Sequence, residues 1–257
     1  MSAKLSTALP ASNLNLKEFS GTPESLEILA RKEALRNHYK KSLFATVKNL
    51  LGYVNVTYKT HGAIIEALEA DTSRKLLVVP RGCFKSTIGV VGYSIWTLLK
   101  NPDARILIDS ELYTNSSNFI REIKAHLESH MITYLFGRFN SKEVWNNSGL
   151  IIAQRTRPWK EASITCGGIG TVKVGQHFTH IIGDDYNSPQ NSNTPEAREK
   201  IINHYKYNQS ILEPDGTMVI IGTRYSEGDL IGHILREELG LAENGNLGLD
   251  GARNESH

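Results

Sequence analysis

Short apolar runs alternate along the chain with longer stretches of helical pattern. Several of these runs are continuous in Val, Ile and Leu, which is typical of strands covered on both faces of a sheet. The strand-like runs lie at residues 76–79, 105–109, 150–154, 162–166, 180–184 and 217–223. This alternation predicts an α/β fold with a mostly parallel central sheet flanked by helices.

Helical patterns fill the intervals between the predicted strands. They cover residues 24–50, 61–69, 86–100, 115–129 and 195–212, and a last one begins at Ser226. The polar residues 1–23 are typical of an arm, and the Gly- and Asn-rich residues 241–257 are typical of a linker or tail. We therefore expect an N-terminal arm and helix over residues 1–50, one domain over 51–240, and a flexible tail over 241–257.

Composition, net charge and cysteine content exclude several classes of protein. With 40% hydrophobic and 22% charged residues, the chain resembles an ordinary soluble globular protein, which excludes wholesale disorder. The net charge is only +2, so any contact with nucleic acid is expected to be local or made by an oligomer. Two cysteines, Cys83 and Cys166, exclude a disulfide scaffold and indicate a reducing compartment. The longest apolar stretch, residues 88–99, is too short to cross a bilayer.

The stretch LLVVPRGCFKST, residues 76–87, has the context of a phosphate-binding loop, because a buried strand leads through a short loop into a helix start. In that context Lys85 would neutralise the β- and γ-phosphates, and the Ser86 hydroxyl would ligate Mg²⁺. The usual pattern G-x-x-x-x-G-K-[ST] is imperfect here, since Val79 and Phe84 replace its two glycines. Phe84 is the more serious departure, because its position often needs a positive φ. The alternative is that Lys85-Ser86-Thr87 simply opens a helix.

Two acids follow another apolar run about 100 residues later, in HIIGDD. Strand ends of this kind are where ligands bind in open α/β sheets. Neighbouring acids in a strand and its turn can point in different directions. Asp184 can therefore hold Mg²⁺ while Asp185 orients the attacking water. The alternative is a solvated turn or a helix cap.

A third apolar run, MVIIG, ends in Gly222, Thr223 and Arg224. If this strand lies beside the one that precedes the phosphate loop, the Thr223 hydroxyl comes close to the γ-phosphate and can sense hydrolysis. The alternative is a strand followed by an exposed arginine.

These three elements, in this order, resemble the ATPase domain of phage terminase large subunits, the DNA-packaging motors of tailed phages. PRGCFKST is similar to that family's variant Walker A motif, HIIGDD to its Walker B motif, and IIGTRYSEGDL to its coupling motif. The resemblance covers about residues 50–235 and rests on the ordered set, since each motif alone is unspecific.

The resemblance implies a P-loop NTPase of the additional-strand type that uses ATP and Mg²⁺. It implies catalytic roles for Lys85, Asp185 and Arg81, and Mg²⁺ binding by Ser86 and Asp184. The implied ATP-binding residues are Arg81, Gly82, Cys83, Phe84, Lys85, Ser86 and Thr87, and the implied coupling residues are Gly222, Thr223 and Arg224.

The resemblance also implies partners and a location. The partners are double-stranded DNA, a portal protein and a small terminase subunit, and the assembled form is a homo-oligomeric ring, with a monomer left open for the isolated chain. The location is the host-cell cytoplasm, transiently at the portal vertex of a procapsid, with no membrane. Because the chain ends about 30 residues after the coupling motif, we expect an isolated ATPase domain without the family's nuclease activity.

Three departures keep alternatives open. Phe84 replaces a glycine, the second acid is Asp185 where many members have Glu, and Lys173-Val174-Gly175 stands where some members have an arginine finger. One alternative is another P-loop DNA-dependent ATPase, such as a helicase-like enzyme. The other is a non-hydrolysing DNA or portal adaptor, in which Phe84 has disabled the phosphate loop.

Overall fold

The computed structural model describes residues 23–171 and 173–241. The predicted arm and tail therefore lie almost entirely outside the described residues. The strands are β1 Arg74–Val78, β2 Ile106–Ser110, β3 Asn140–Asn146, β4 Gly149–Ile152, β5 Ile164–Cys166, β6 Phe178–Asp184 and β7 Leu212–Gly222. The α-helices are α1 Pro23–Lys41, α2 Leu43–Ala45, α3 Tyr58–Glu69, α4 Tyr93–Lys100, α5 Tyr113–Leu127, α6 His130–Phe136, α7 Pro195–Ser210 and α8 Leu230–His233. The π-helical segments are Thr46–Leu50, Thr87–Gly92 and Ile234–Glu238.

The strands form one sheet in the order β1-β7-β6-β2-β5-β4-β3. The first five strands in this order are parallel to one another, whereas β4 and β3 add antiparallel pairs at one end. In the register, Val78 pairs with Gly222 and Ile221 pairs with Asp184. The carboxyl ends of β1, β7 and β6 therefore lie side by side at one edge of the sheet.

The central strands are buried on both faces, which explains their continuous apolar runs. Alternate residues along a strand point to opposite faces. In β2, Ile106 and Ile108 belong to the larger apolar cluster, together with residues of α3, α4 and α5, whereas Leu107 belongs to the second cluster with α7 and α8. β7 divides in the same way, with Val219 in the first cluster and Ile220 in the second.

The prediction of a mostly parallel α/β sheet flanked by helices is confirmed, and each of the six predicted strands overlaps an observed one. The predicted helix over 24–50 is interrupted at Ser42, whose hydroxyl accepts a hydrogen bond from the Ala45 amide at 3.1 Å and starts a new helix. Beyond that break, Leu43 and Val47 are fully buried in the larger apolar cluster. No sequence pattern predicted α6 or β3.

Two further findings bear on the expectations from composition. Cys83 and Cys166 are both free thiols. Within the described ranges, the structure contains no helix of the length and apolar character that spanning a bilayer requires.

Candidate functional site

Three segments that are far apart in the sequence meet at the carboxyl edge of β1, β7 and β6. The Lys85 ammonium donates hydrogen bonds to the Asp185 carboxylate and, at 3.3 Å, to Thr223 Oγ1. Ser86 Oγ lies 2.9 Å from both carboxylate oxygens of Asp184 and donates to that group. These contacts join residues 98, 100 and 138 positions apart, so the fold brings together the side chains that the three sequence patterns singled out.

The loop between β1 and the next helix contains two left-handed residues. Gly82 has φ +81° and Phe84 has φ +51°, with Cys83 half-buried between them. Phe84 thus adopts the backbone conformation for which glycine is usually required. Its ring packs edge-on against His61, with 5.6 Å between centroids and 89° between planes. Although Phe84 replaces the glycine of the usual phosphate-loop pattern, the backbone at this position is left-handed and not helical.

Lys85 is buried, with 6% of its surface exposed. The first helical hydrogen bond after the loop runs from the Ile88 amide to the Phe84 carbonyl, at 2.9 Å. The amides of Lys85, Ser86 and Thr87 precede that bond and are the N–H groups that a helix start offers to an anion. The loop thus combines a buried cation with amides at a helix start, and both favour a phosphate group.

The neighbouring acids occupy different environments. Asp184 is buried with its carboxylate beside Ser86, whereas the Asp185 side chain is about a third exposed and contacts Lys85. The two directions arise because Asp185 leaves the strand with φ +42°, a left-handed conformation, while its amide still donates to the Ile221 carbonyl at 2.9 Å. The two neighbouring carboxylates therefore contact different side chains, Ser86 and Lys85.

Asp184 has a strongly perturbed acidity. Burial raises its pKa to about 7, and the neighbouring Asp185 carboxylate adds to the increase. The hydrogen bond from Ser86 and the positive charge of Lys85 act in the opposite direction. A divalent cation beside the carboxylate would favour its ionised form. Asp184 therefore keeps its charge near neutral pH best when a cation lies next to it.

The donor set of Ser86 and Asp184 fits Mg²⁺, which prefers hard oxygen ligands. One hydroxyl and one carboxylate suffice, because protein-bound Mg²⁺ keeps several waters and takes further oxygens from a substrate phosphate. Within residues 23–171 and 173–241, no cluster of three or more His, Cys, Asp or Glu side chains could hold a metal ion. Ser86 and Asp184 would thus hold such a cation together with water and phosphate oxygens.

The end of β7 and the residue after it are hydrogen-bonded to the start of the phosphate loop, directly after β1. The Val79 amide donates to the Gly222 carbonyl at 3.0 Å, and Thr223 Oγ1 donates to the Val79 carbonyl at 3.2 Å. The condition stated for Thr223 is met, because β7 lies beside β1, and Thr223 contacts both the Val79 carbonyl at the start of the phosphate loop and Lys85. The Arg224 side chain is exposed on the loop that follows.

No protein-family model and no curated protein matches this sequence. What the site can do therefore follows from its own residues and distances.

Two residues to which no sequence pattern gave a role, Tyr225 and Ser110, also contact the site. The Arg81 guanidinium donates to the Tyr225 hydroxyl and lies 5.8 Å from the centroid of that ring. Ser110, the last residue of β2, donates to the backbone carbonyl of Asp184 at 2.9 Å. Tyr225 lies within IIGTRYSEGDL, next to the predicted coupling residues, but its contact with Arg81 depends on the fold. Ser110 belongs to no recognisable motif, and no pattern in the sequence indicates that β2 is the neighbour of β6.

Proposed function

We propose that this chain is the ATPase domain of a viral DNA-packaging motor of the terminase large-subunit type. It hydrolyses ATP with Mg²⁺ and uses the free energy to translocate double-stranded DNA into a procapsid. The observation that carries the proposal is the meeting of Lys85, Ser86, Asp184, Asp185 and Thr223 at one edge of a parallel sheet. A buried cation, a metal-binding hydroxyl and carboxylate, and a second, more exposed carboxylate are the groups that phosphoryl transfer from ATP requires.

The strand order supports a P-loop NTPase of the additional-strand type. β7 lies between β1, which leads into the phosphate loop, and β6, which ends in the two acids. Thr223, directly after β7, is therefore within reach of both. A hydroxyl in that position can change its hydrogen bonds when the γ-phosphate departs, which suits the proposed coupling role of Gly222, Thr223 and Arg224.

The proposed hydrolysis begins when Lys85 exchanges its hydrogen bond to Asp185 for hydrogen bonds to ATP. Its ammonium leaves Asp185 for the β- and γ-phosphates, and the freed Asp185 carboxylate accepts a proton from the attacking water. The water oxygen bonds to the γ-phosphorus as the bond to the β–γ bridging oxygen breaks, giving ADP and phosphate. When bound at Ser86 and Asp184, Mg²⁺ neutralises the charge that develops on the phosphate oxygens.

Arg81 supplies a second cation in the loop. Its hydrogen bond to Tyr225 connects the phosphate loop to the segment that follows Arg224. If Arg81 turns toward the phosphates when ATP binds, Tyr225 loses a partner, and the occupancy of the site is communicated to this segment. Arg81 and Tyr225 therefore belong to the proposed coupling machinery.

The proposed partners are double-stranded DNA, a portal protein and a small terminase subunit, in the host-cell cytoplasm and at the portal vertex. A net charge of +2 suits a ring in which each subunit makes a few phosphate contacts.

The test is Mg²⁺-dependent ATP binding by calorimetry and phosphate release, compared between the wild type and Lys85→Ala. We expect Lys85→Ala to lose at least about 100-fold in ATP affinity, because the buried ammonium faces the phosphates. Lys75→Ala is the matched control, since Lys75 is equally buried at the opposite end of β1 and donates to the carbonyls of Ala67 and Ala70. Equal ATP binding by Lys85→Ala and the wild type would contradict the proposal.

The effect of duplex DNA on ATP turnover distinguishes the packaging motor from the two alternative functions. Turnover that rises with duplex DNA, without strand separation, supports the motor. Strand separation would favour a helicase-like ATPase, and absence of nucleotide binding would favour the non-hydrolysing adaptor.

A further inference from the structure

A buried polar cluster lies directly behind the two acids. Its centre is Asp109, one residue before the end of β2 and 1% exposed. One carboxylate oxygen, Oδ2, accepts three hydrogen bonds, from the Tyr186 hydroxyl at 3.0 Å, His204 Nε2 at 2.6 Å and Asn208 Nδ2 at 2.6 Å. The Tyr186 hydroxyl in turn accepts from Asn208 at 3.0 Å. Burying a carboxylate this deeply costs desolvation free energy unless hydrogen bonds compensate for it. A buried carboxylate with three donors therefore indicates a specific structural role.

The cluster is attached to the candidate catalytic acid through the chain itself. Tyr186 directly follows Asp185, and its ring turns back toward β2. Asp109 pairs with Gly183 across the sheet, and a Cβ on Gly183 would lie 2.6 Å from the Tyr186 ring. The absence of a side chain at Gly183 thus lets the ring cross β6 and reach Asp109.

The two residues that follow Asp109 form hydrogen bonds with the segment that contains the two acids and the residues after them, Asp184 to Ser188. Ser110 donates to the carbonyl of Asp184 at 2.9 Å, and Glu111 accepts a hydrogen bond from Ser188 at 2.8 Å. Three consecutive residues at the end of β2 therefore bind three positions of the segment that carries the acids.

Such support is what the backbone of Asp185 requires. Its φ of +42° is a strained conformation for a residue other than glycine, and strained residues persist only where surrounding contacts determine them. We propose that Asp109 is a positioning residue for Asp185, acting through Tyr186, with His204 and Asn208 of α7 holding the Asp109 carboxylate in place. This inference rests on the proposed function for the chemical role of Asp185.

Tyr186→Phe tests the inference, because it removes the hydroxyl and keeps the ring. We expect the affinity for a non-hydrolysable ATP analogue to stay within about twofold, while the turnover number falls about tenfold. Tyr205→Phe is the matched control, since Tyr205 is an equally buried tyrosine whose hydroxyl binds Glu238 and Gln209 on another side of α7. Unchanged turnover in Tyr186→Phe, or an equal fall in both variants, would overturn the inference.

A second pair of variants separates positioning from general stability. His204→Gln retains an N–H donor near the Asp109 carboxylate, whereas His204→Leu removes it. We expect His204→Gln to keep most of the turnover and His204→Leu to lose about tenfold. Equal turnover in the two variants would show that the donor to Asp109 does not matter for the reaction.

Amide exchange measures the positioning without any catalysis. The Asp185 amide donates to Ile221, so its hydrogen exchange reports how often this segment opens. We expect about tenfold faster exchange in Tyr186→Phe and no change in Tyr205→Phe, and equal exchange in the two variants would overturn the inference. Loss of the proposed ATPase would appear instead as a wild type without turnover, so the two failures are distinguishable.

Discussion

Lys85 donates to Asp185 in the structure, so in the proposed reaction this carboxylate competes with the γ-phosphate of ATP for the ammonium. Replacing Asp185 by Asn removes the competing charge and leaves the size of the side chain unchanged. Asn also tolerates the left-handed conformation at least as well as Asp, so φ +42° adds no new strain. We therefore expect Asp185→Asn to bind ATP more tightly and to hydrolyse it more slowly.

The size of the gain follows from the exposure of the pair. The Lys85 side chain is 7% exposed and that of Asp185 is 35% exposed, so the ion pair lies between the buried and the surface classes. Because solvent screens the Asp185 carboxylate, the net strength of the ion pair is about 1 kcal/mol. Removing this competition should therefore raise ATP affinity about fivefold. Loss of the proposed general base, the Asp185 carboxylate, should lower turnover by about 100-fold or more.

Affinity is measured by calorimetry with a non-hydrolysable ATP analogue and Mg²⁺, and turnover by phosphate release. Asp215→Asn is the control, because Asp215 is an exposed acid near the start of β7, toward the opposite edge of the sheet. It should leave both quantities unchanged. Weaker binding of the analogue by Asp185→Asn would refute the competition between carboxylate and phosphate, and turnover equal to that of the wild type would refute the role of Asp185 as base.

Two further predictions concern stability. Burial, with help from Lys100 and Lys75, lowers the pKa of His180 to about 4, so the unfolded chain binds a proton first and stability is lost as the pH falls from 6.5 to 4. The free energy of unfolding should fall by at most about 3 kcal/mol over this range. Urea unfolding of His180→Leu should not show this contribution, and an equal pH dependence of the wild type and the variant would rule out His180 as its cause. Asp229 is fully buried and accepts amide hydrogen bonds from Tyr225, Ser226 and Gly232, so Asp229→Ala should cost about 2 kcal/mol in the same assay, and a cost below about 0.5 kcal/mol would contradict the reasoning.

The central sheet could be predicted because its strands are buried on both faces and therefore appear as continuous apolar runs. β3 could not, because it is a largely exposed strand at the edge of the sheet, and its sequence NSKEVWN is mostly polar. Lys85, Ser86, Asp184 and Asp185 were predicted as site residues because each belongs to a local pattern at a strand end.

The supporting residues have no comparable local pattern. Asp109 is the last residue of a predicted strand in the sequence, and its partners His204 and Asn208 lie about 100 positions further on. Their meeting depends on β2 lying beside β6 and on the face to which α7 packs. Both are properties of the whole sheet rather than of any single segment.

Backbone strain gives an independent argument for the site, because it does not depend on any motif. Among the residues that the structure describes, Phe84 and Asp185 are the two non-glycine residues with positive φ. Phe84 directly precedes Lys85, and Asp185 accepts a hydrogen bond from it. Each such conformation costs about 1–3 kcal/mol and persists where surrounding contacts impose it, which occurs most often at active sites. Two strained residues 101 positions apart thus flank the same ammonium, as expected if the fold is selected to hold Lys85 and its carboxylate partner in a fixed geometry.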